Sequence, residues 1–324
     1  MSNILITGIT GFVGSHMADY ILENHPGSSL HGIRRWHHSR RDHVRHFEDK
    51  VRWWDCDLLD PVQTNETICA VNPDVIFHFA AESFVSPSWG HPHVYMNGNY
   101  HVTVNVLEAL ARNKIDALMH IPGSGEEYGE ILPEELPINE STILRPVNPY
   151  AVTKIAQDLI AYVYFRSFGV RVIRTRAFNH EGPRRDHVFG IPWYAYQIAK
   201  LEKGLQPPHL RVGHLEDRRN FTHVRDMVEA YWLAVEKCTP GELYLIGNED
   251  PASVFSFREA LDWLIRMSST DKITYEIVPE FVRPTAVPRL IGDISKFQCA
   301  TGWKPRIGFE EILTSTLDYW RQRV

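Results

Sequence analysis

Four residues of this chain have the types and spacing for acid–base chemistry at a hydroxyl-bearing carbon: Ser124, Glu126, Tyr150 and Lys154. Tyr150 and Lys154 stand four apart in Tyr-Ala-Val-Thr-Lys, which puts them on one face of a helix. A free tyrosine, with a pKa of about 10, is a poor base near neutrality. An ammonium group beside it, joined by a cofactor cation, stabilises the phenolate and brings that value down. Ser124 lies in Gly-Ser-Gly-Glu-Glu-Tyr-Gly (123–129), just past a run that reads as a strand. Its hydroxyl suits a hydrogen bond to the oxygen that Tyr150 deprotonates. Glu126 points into the same crevice, where a carboxylate can remove a proton from a carbon next to a ketone. Its neighbour Glu127 reads as a solvated turn acid.

Rigid elements must bring these residues together. Residues 3–7 read as a buried strand and 14–24 as a helix with Met17, Ala18, Ile21 and Leu22 on one face. Further strands are predicted at 30–33, 51–56, 75–79, 118–121 and 170–176, and helices at 101–112 and 150–168. Strands alternating with helices imply right-handed crossovers. The predicted class is therefore α/β, a Rossmann-type doubly wound parallel sheet spanning residues 1–178. Beyond that point Pro, Arg and aromatics become frequent and helices are predicted near 190–203, 224–237, 256–267 and 309–322. Residues 179–324 are expected to form a smaller mixed α/β C-terminal substrate lobe, with 221–246 returning to the large domain.

The first turn carries a cofactor signal. Gly8-Ile-Thr-Gly-Phe-Val-Gly14 follows the first strand and opens the first helix. Glycines there allow a tight turn, close approach of a pyrophosphate to the backbone and close helix–strand packing. The helix N-terminus offers amides to the anion. Gly8, Thr10, Gly11, Phe12, Val13 and Gly14 are thus expected to bind a dinucleotide. Arg34 and Arg35 end the second strand, where an acidic residue would favour a bare ribose and arginine favours a 2′-phosphate; NADP is expected over NAD. Asp57 and Leu58 are placed to meet the adenine, and Phe79, Ala80 and Ala81 to lie along the cofactor.

Composition bounds the alternatives. With 324 residues, the chain has room for a large domain and a smaller companion. A net charge of -6 argues against a nucleic-acid partner. The opening residues enter a strand-like run without a basic stretch and leader pattern, and no run of about 18 apolar residues offers a membrane span. The 4 cysteines are scattered, as in a reduced, cytoplasmic protein. Histidine is abundant, at 17, but His37-His38 and His91-x-His93 lie in polar sequence without ligand spacing, so no metal site is expected.

Longer motifs carry a resemblance: GITGFVGSH, HGIRRW, GSGEEYG, NPYAVTK, RTRAFNHEGPRR, VGHLEDRRNFTHVRDMVEAYW, RPTAVPRLIGDISKF and TGWKP. Through them almost the whole chain resembles the GDP-mannose 4,6-dehydratases, extended short-chain dehydrogenase/reductases, and is similar also to the GDP-4-keto-6-deoxymannose reductases. The resemblance implies a catalytic set of Ser124, Glu126, Tyr150 and Lys154. It implies substrate contacts from Ser83, Ser124, Asn179, Arg219 and Arg283 to a GDP-linked sugar, with Arg184 and Arg185 near a cofactor phosphate. Dehydration would run by oxidation at C4, loss of water across C5 and C6, and hydride return to C6. The alternatives are an NADPH-dependent reductase of the 4-keto sugar, or a related dehydratase or epimerase on another GDP-sugar such as a GDP-heptose. Pairing of the helices at 101–112 and 150–168 would give a homodimer or homotetramer. Three positions depart from the pattern. Gly125 stands where related dehydratases have Ser or Asp, Asn220 where Asp is usual, and Ala286 where an acid is common.

Overall fold

The computed structural model describes residues 2–36, 39–285 and 287–324; Ala286 and the His37-His38 pair lie outside them. Six strands with the helices between them build the N-terminal part: β1 (Asn3–Thr7), α1 (Phe12–Asn24), β2 (Ser29–Arg34), β3 (Arg52–Asp55), α2 (Pro61–Val71), β4 (Val75–His78), α3 (Pro92–Tyr95), α4 (Val102–Asn113), β5 (Leu118–Ser124), α5 (Pro149–Phe168) and β6 (Arg171–Ala177). Ile4, Leu5 and Ile6 are fully buried because β1 sits inside the sheet with helices on both faces. The chain then runs through β7 (His180–Glu181), α6 (Gly190–Glu202), β8 (His209–Val212), β9 (Arg218–Asn220), β10 (Thr222–His223), α7 (Val224–Lys237) and β11 (Leu243–Ile246). It ends with β12 (Val254–Ser256), α8 (Phe257–Met267), β13 (Thr274–Ile277), β14 (Arg289–Leu290), α9 (Ser295–Thr301) and α10 (Phe309–Arg321).

The main sheet has 7 strands in the order β11-β6-β5-β4-β1-β2-β3, and every pairing is parallel. Strand order reverses at β1, which lies between β2 and β4. Ligands of such sheets bind outside the carboxyl ends of the strands at that point. Helices α1 and α7 pack together on one face, and α2, α4 and α5 on the other. A third core joins α6, α8 and α10 beside the pair β8–β13, and β12-β9-β14 forms a separate small sheet.

Helix α2 has no counterpart in the periodicity reading, although its signals are local. The Asp60 side chain accepts from the Val62 and Gln63 amides at 2.8 and 3.1 Å, and Pro61 occupies the first helical position. Thr64, Thr67, Ile68 and Val71 are the buried stripe. Between α3 and α4 the helix widens into a π turn, Met96–His101. That turn carries the buried Asn99, whose Oδ1 accepts from the Glu82 amide at 2.7 Å and whose Nδ2 donates to Thr153 of α5 at 2.8 Å.

Candidate active site

The loop after β1 is shaped by two positions that admit only glycine. Gly8 has φ +68°, and a Cβ on it would lie 2.6 Å from the Ala80 amide nitrogen. A Cβ on Gly14 would lie 2.3 Å from the Gly8 carbonyl oxygen. Helix α1 starts after Gly11, and among the described residues no side chain caps it. The first-turn amides therefore face outward toward an anion, with Thr10, Phe12 and Val13 half-buried around them. These features fit a dinucleotide pyrophosphate. Behind the loop, buried Thr7 accepts from the Ala80 amide at 3.2 Å and bonds His78 Nδ1 at 2.9 Å, which ties β1 to the Phe79–Ala80 segment.

Arg34 and Arg35 part company. Arg34 turns along the sheet, donating to Asp55 at 2.9 Å, facing Glu48 at 3.7 Å and lying 5.2 Å over the Trp53 ring. Arg35 is exposed. Asp57 is exposed, and its Oδ1 accepts from the Leu59 amide at 3.0 Å. Leu58 is buried, its carbonyl held by Asn105 at 2.8 Å. Phe79 and Ala80 are half-buried and Ala81 is exposed.

Tyr150, Lys154 and Ser124 come together. Asn148 caps α5, its Oδ1 accepting from the Ala151 amide at 2.8 Å, and Pro149 sets the first turn. Tyr150 and Lys154 then point from one buried face of α5 toward the end of β5. Burial pushes the Tyr150 phenol above its ordinary value; the bond with Ser124 pulls it down, and the charges of Glu127 and Glu126 add to the rise. Burial lowers Lys154, against the pull of Glu127 and Asp158. Lys154 Nζ donates to Gln157 Oε1, and Gln157 Nε2 donates to Thr103 Oγ1 at 2.7 Å. Thr103 gives its own proton to the Asn99 carbonyl at 2.7 Å, so His78 Nε2, 3.0 Å away, is the donor to Thr103. A buried chain of hydrogen bonds thus runs from Lys154 to Thr7. Burial, then the Lys154 charge, pushes His78 down to about 3 and leaves it neutral.

Glu126 lies 13% exposed. Its Oε2 accepts from Asn148 Nδ2 at 3.0 Å and its Oε1 from Arg283 at 3.2 Å. Asn148 thus serves both as helix cap and as an anchor of the carboxylate. The Asn-Pro pair before Tyr150 marks the cap, but nothing local marks the second duty. Glu127 corrects the sequence reading: it is fully buried, accepting from Arg176 Nε at 2.7 Å and from the Ser124 amide at 2.7 Å. A charged partner on β6 and the inward turn at Gly125–Tyr128 outweigh the preference of an acid for water.

A cavity of about 600 Å³ opens beside Glu126 at the carboxyl ends of the strands. Asn179, Arg185, Arg219 and Arg283 reach it, with Phe84–Pro87 after β4 and an apolar wall that includes Trp193, Phe257 and Phe281. Arg219 is buried, and its Nη1 donates to the Arg218 carbonyl at 2.9 Å. Ser83 is exposed and, among the described residues, stands outside the cavity lining that its neighbours form. Arg184 pairs with Asp19 of α1 at 2.7 Å, whereas Arg185 lies 3.8 Å over the Phe189 ring and 3.0 Å from Glu181. Asn220 is buried, with Nδ2 donating to the Asn248 carbonyl. Gly125 has a packing reason: a Cβ there would lie 3.1 Å from both Leu290 Cδ2 and Phe178 Cδ1.

The profile of the family described as GDP-mannose 4,6 dehydratase matches residues 5–316. GDP-6-deoxy-D-mannose reductase of Pseudomonas aeruginosa is 29% identical, over 99% of this chain and 98% of its own. GDP-mannose 4,6 dehydratase 1 of Arabidopsis thaliana is also 29% identical, over 97% of this chain and 88% of its own. Among solved structures, RMD from Pseudomonas aeruginosa complexed with NADPH superposes with a TM-score of 0.86 at 28% identity, covering 100% of both chains. UDP-glucose 4-epimerase of Thermotoga maritima, at 24% identity and a TM-score of 0.85 over 99% of both chains, shares the fold.

Proposed function

The chain belongs to the GDP-mannose 4,6-dehydratase family, and we propose that it converts GDP-mannose to GDP-4-keto-6-deoxymannose and water. Glu126 carries the reading: its carboxylate lies at the cavity, held by Asn148 and Arg283, close to the Ser124–Tyr150 pair. NADP is the proposed cofactor, supported by the NADPH complex of the Pseudomonas relative and by Arg35 at the end of β2. The glycine loop, the first turn of α1 and the Phe79–Ala81 segment would hold it, with Asp57 and Leu58 toward the adenine. When bound, it supplies reversible hydride chemistry at the sugar.

The chain's own residues manage protons. Tyr150 accepts the proton of the sugar 4-hydroxyl, with Ser124 hydrogen-bonded to the same oxygen and Lys154 stabilising the phenolate. The resulting 4-ketone acidifies the hydrogen on C5. Glu126 removes that proton and passes it to the hydroxide departing from C6, which leaves as water. With hydride returned to C6, C5 regains a proton from solvent through Glu126, balancing the one that Tyr150 took from the 4-hydroxyl and releases. Arg219 and Arg283 suit the diphosphate, which paired guanidinium donors recognise well, and Asn179 suits the sugar or its phosphates. This assigns residues 1–178 and 221–246 to the dinucleotide and the remainder mainly to the sugar nucleotide.

The deciding experiment is incubation with GDP-mannose. Formation of the 4-ketone without net consumption of NADPH is expected; turnover only of a 4-keto sugar, at the expense of NADPH, would overturn the assignment. That second outcome is the reductase reading. It is favoured by the packing of Phe178 and Leu290 against Gly125, which leaves that position without a side chain to protonate the leaving hydroxyl.

A homodimer or homotetramer is proposed through α5, where Val152, Leu159 and Val163 are 45%, 51% and 46% exposed along one stripe. Sedimentation returning only the monomer mass would count against it. Among the described residues no helix is long and apolar enough to cross a membrane. With free thiols at Cys56, Cys69, Cys238 and Cys299, a cytoplasmic location is proposed; a matured, exported form in cell fractions would contradict it.

A further inference from the structure

Glu127 takes no part in the proton transfers above, yet it is built into the site from behind. Its Oε1 accepts from the Ser124 amide at 2.7 Å and its Oε2 from Arg176 Nε at 2.7 Å. Arg176 continues to Asp158 at 2.7 Å and to the Tyr128 hydroxyl at 3.1 Å, and Asp158 also accepts from Arg174 at 2.8 Å. Asp158 stands one turn beyond Lys154 on α5. Room for the carboxylate comes from Gly123, where a Cβ would lie 2.4 Å from Glu127 Oε1. A fully buried acid of this kind is costly unless paired, and here both oxygens are paired. One pairing is to the main chain of a catalytic residue.

We propose that Glu127 is a positioning residue: it fixes the Ser124 backbone and supplies the negative charge against which the Tyr150–Lys154 pair is balanced. This rests on the reaction assigned above. Tyr150 is also faced by Ser124 at the end of β5 and Glu126 beyond it, by Arg185 beyond β7 and by Tyr231 of α7. Lys154 is also faced by Asp158 of its own helix, His78 of β4 and His120 of β5. Among all these, Glu127 is the acid that acts on both members of the pair and touches Ser124 directly. Its charge strengthens proton binding at Tyr150 and at Lys154 alike. Removing it therefore moves both titrations toward lower pH.

The test compares wild type, Glu127→Gln and Glu127→Asp. The acid limb of kcat/KM against pH is expected to move down by about one unit in E127Q, the size of a near-charge effect. KM for GDP-mannose should stay at the wild-type value, because Glu127 lies outside the cavity. E127D keeps the charge but is too short for both bonds; its limb should stay in place while kcat falls. An E127Q limb that does not move, with kcat lower at every pH, would overturn the proposal. Absent wild-type turnover of GDP-mannose counts against the assigned reaction instead. A second measurement serves if that happens or if E127Q does not fold. In wild type labelled with carbon-13 glutamate, the buried carboxyl resonance missing from E127D should be that of an ionised carboxylate on the pH plateau above the acid limb. A carboxyl still protonated on that plateau would overturn the proposal as well.

Discussion

Glu126 and Glu127 are adjacent in sequence and differ in almost everything else. Glu126 meets the cavity, with an amide and a guanidinium on its two oxygens. Glu127 is sealed against Arg176. The first arrangement leaves a carboxylate that can approach a sugar carbon, and the second cannot. Tyr150 in turn needs its hydroxyl partner and a nearby cation to act at neutral pH, because burial alone pushes its phenol the wrong way. The roles therefore separate in an experiment. Glu126→Gln keeps the size of the side chain and one of the two contacts, since its amide nitrogen cannot accept from Arg283 or Asn148, but it is no base. It should lower kcat by about 10²- to 10³-fold, within the usual range for a lost acid–base group, and abolish solvent-deuterium uptake at C5. Tyr150→Phe should lower kcat by at least as much, by stopping C4 oxidation before any exchange at C5. Turnover and exchange by E126Q at the wild-type rate would remove Glu126 from the mechanism.

At the scale of elements, what could be read along the chain was whatever is local. The glycine loop, the Tyr–Lys helix face and the helix at Val224–Lys237 follow from spacing, and the last was predicted at those bounds. Contacts that join distant segments left no trace: the Thr7–His78–Thr103–Gln157–Lys154 chain draws on β1, β4, α4 and α5. The inward turn of Glu127 depends on Arg176, 49 positions away. Gly125 belongs to the same class. Its departure from the family pattern looks like a lost hydroxyl until the loop is seen against β6's continuation and β14. Phe178 fills the space, and it is itself hemmed in, since a Cβ on Gly292 would lie 2.1 Å from its ring and one on Gly247 would lie 2.9 Å from its Cβ. Gly125→Ser should therefore destabilise the protein by about 1–3 kcal/mol, as overpacking does. Phe178→Leu should relieve it, so that the double variant loses less than the two single variants together. Urea unfolding of the four proteins checks this; strict additivity would show that Phe178 is not the obstacle.

Across the whole molecule, the same burial that arms the site makes the fold sensitive to acid. Burial, aided by neighbouring cations, pushes His16, His78 and His120 down to about 3 and His43, His180 and His223 to about 4. Between about pH 4 and the ordinary histidine value of about 6.5, the unfolded chain carries a proton on each ring and the native chain does not. Unfolding then takes up protons, so stability rises with pH by about 1.4 kcal/mol per pH unit for each ring, and falls as pH is lowered. Glu181 and Glu127 work the other way: burial raises both to about 7, so between the ordinary value and 7 the native chain holds protons that the unfolded chain has lost. Two such acids oppose six rings. The carboxylates lowered by partners, such as Glu108 and Glu202, add to acid loss only below their ordinary range. The melting temperature should thus fall steeply from about pH 6.5 to about pH 5, before ordinary carboxylates titrate. His120→Gln, which keeps a donor for Thr175, should flatten that slope by about one proton. A melting temperature unchanged between pH 7 and pH 5 would mean that these rings are not held neutral by the fold.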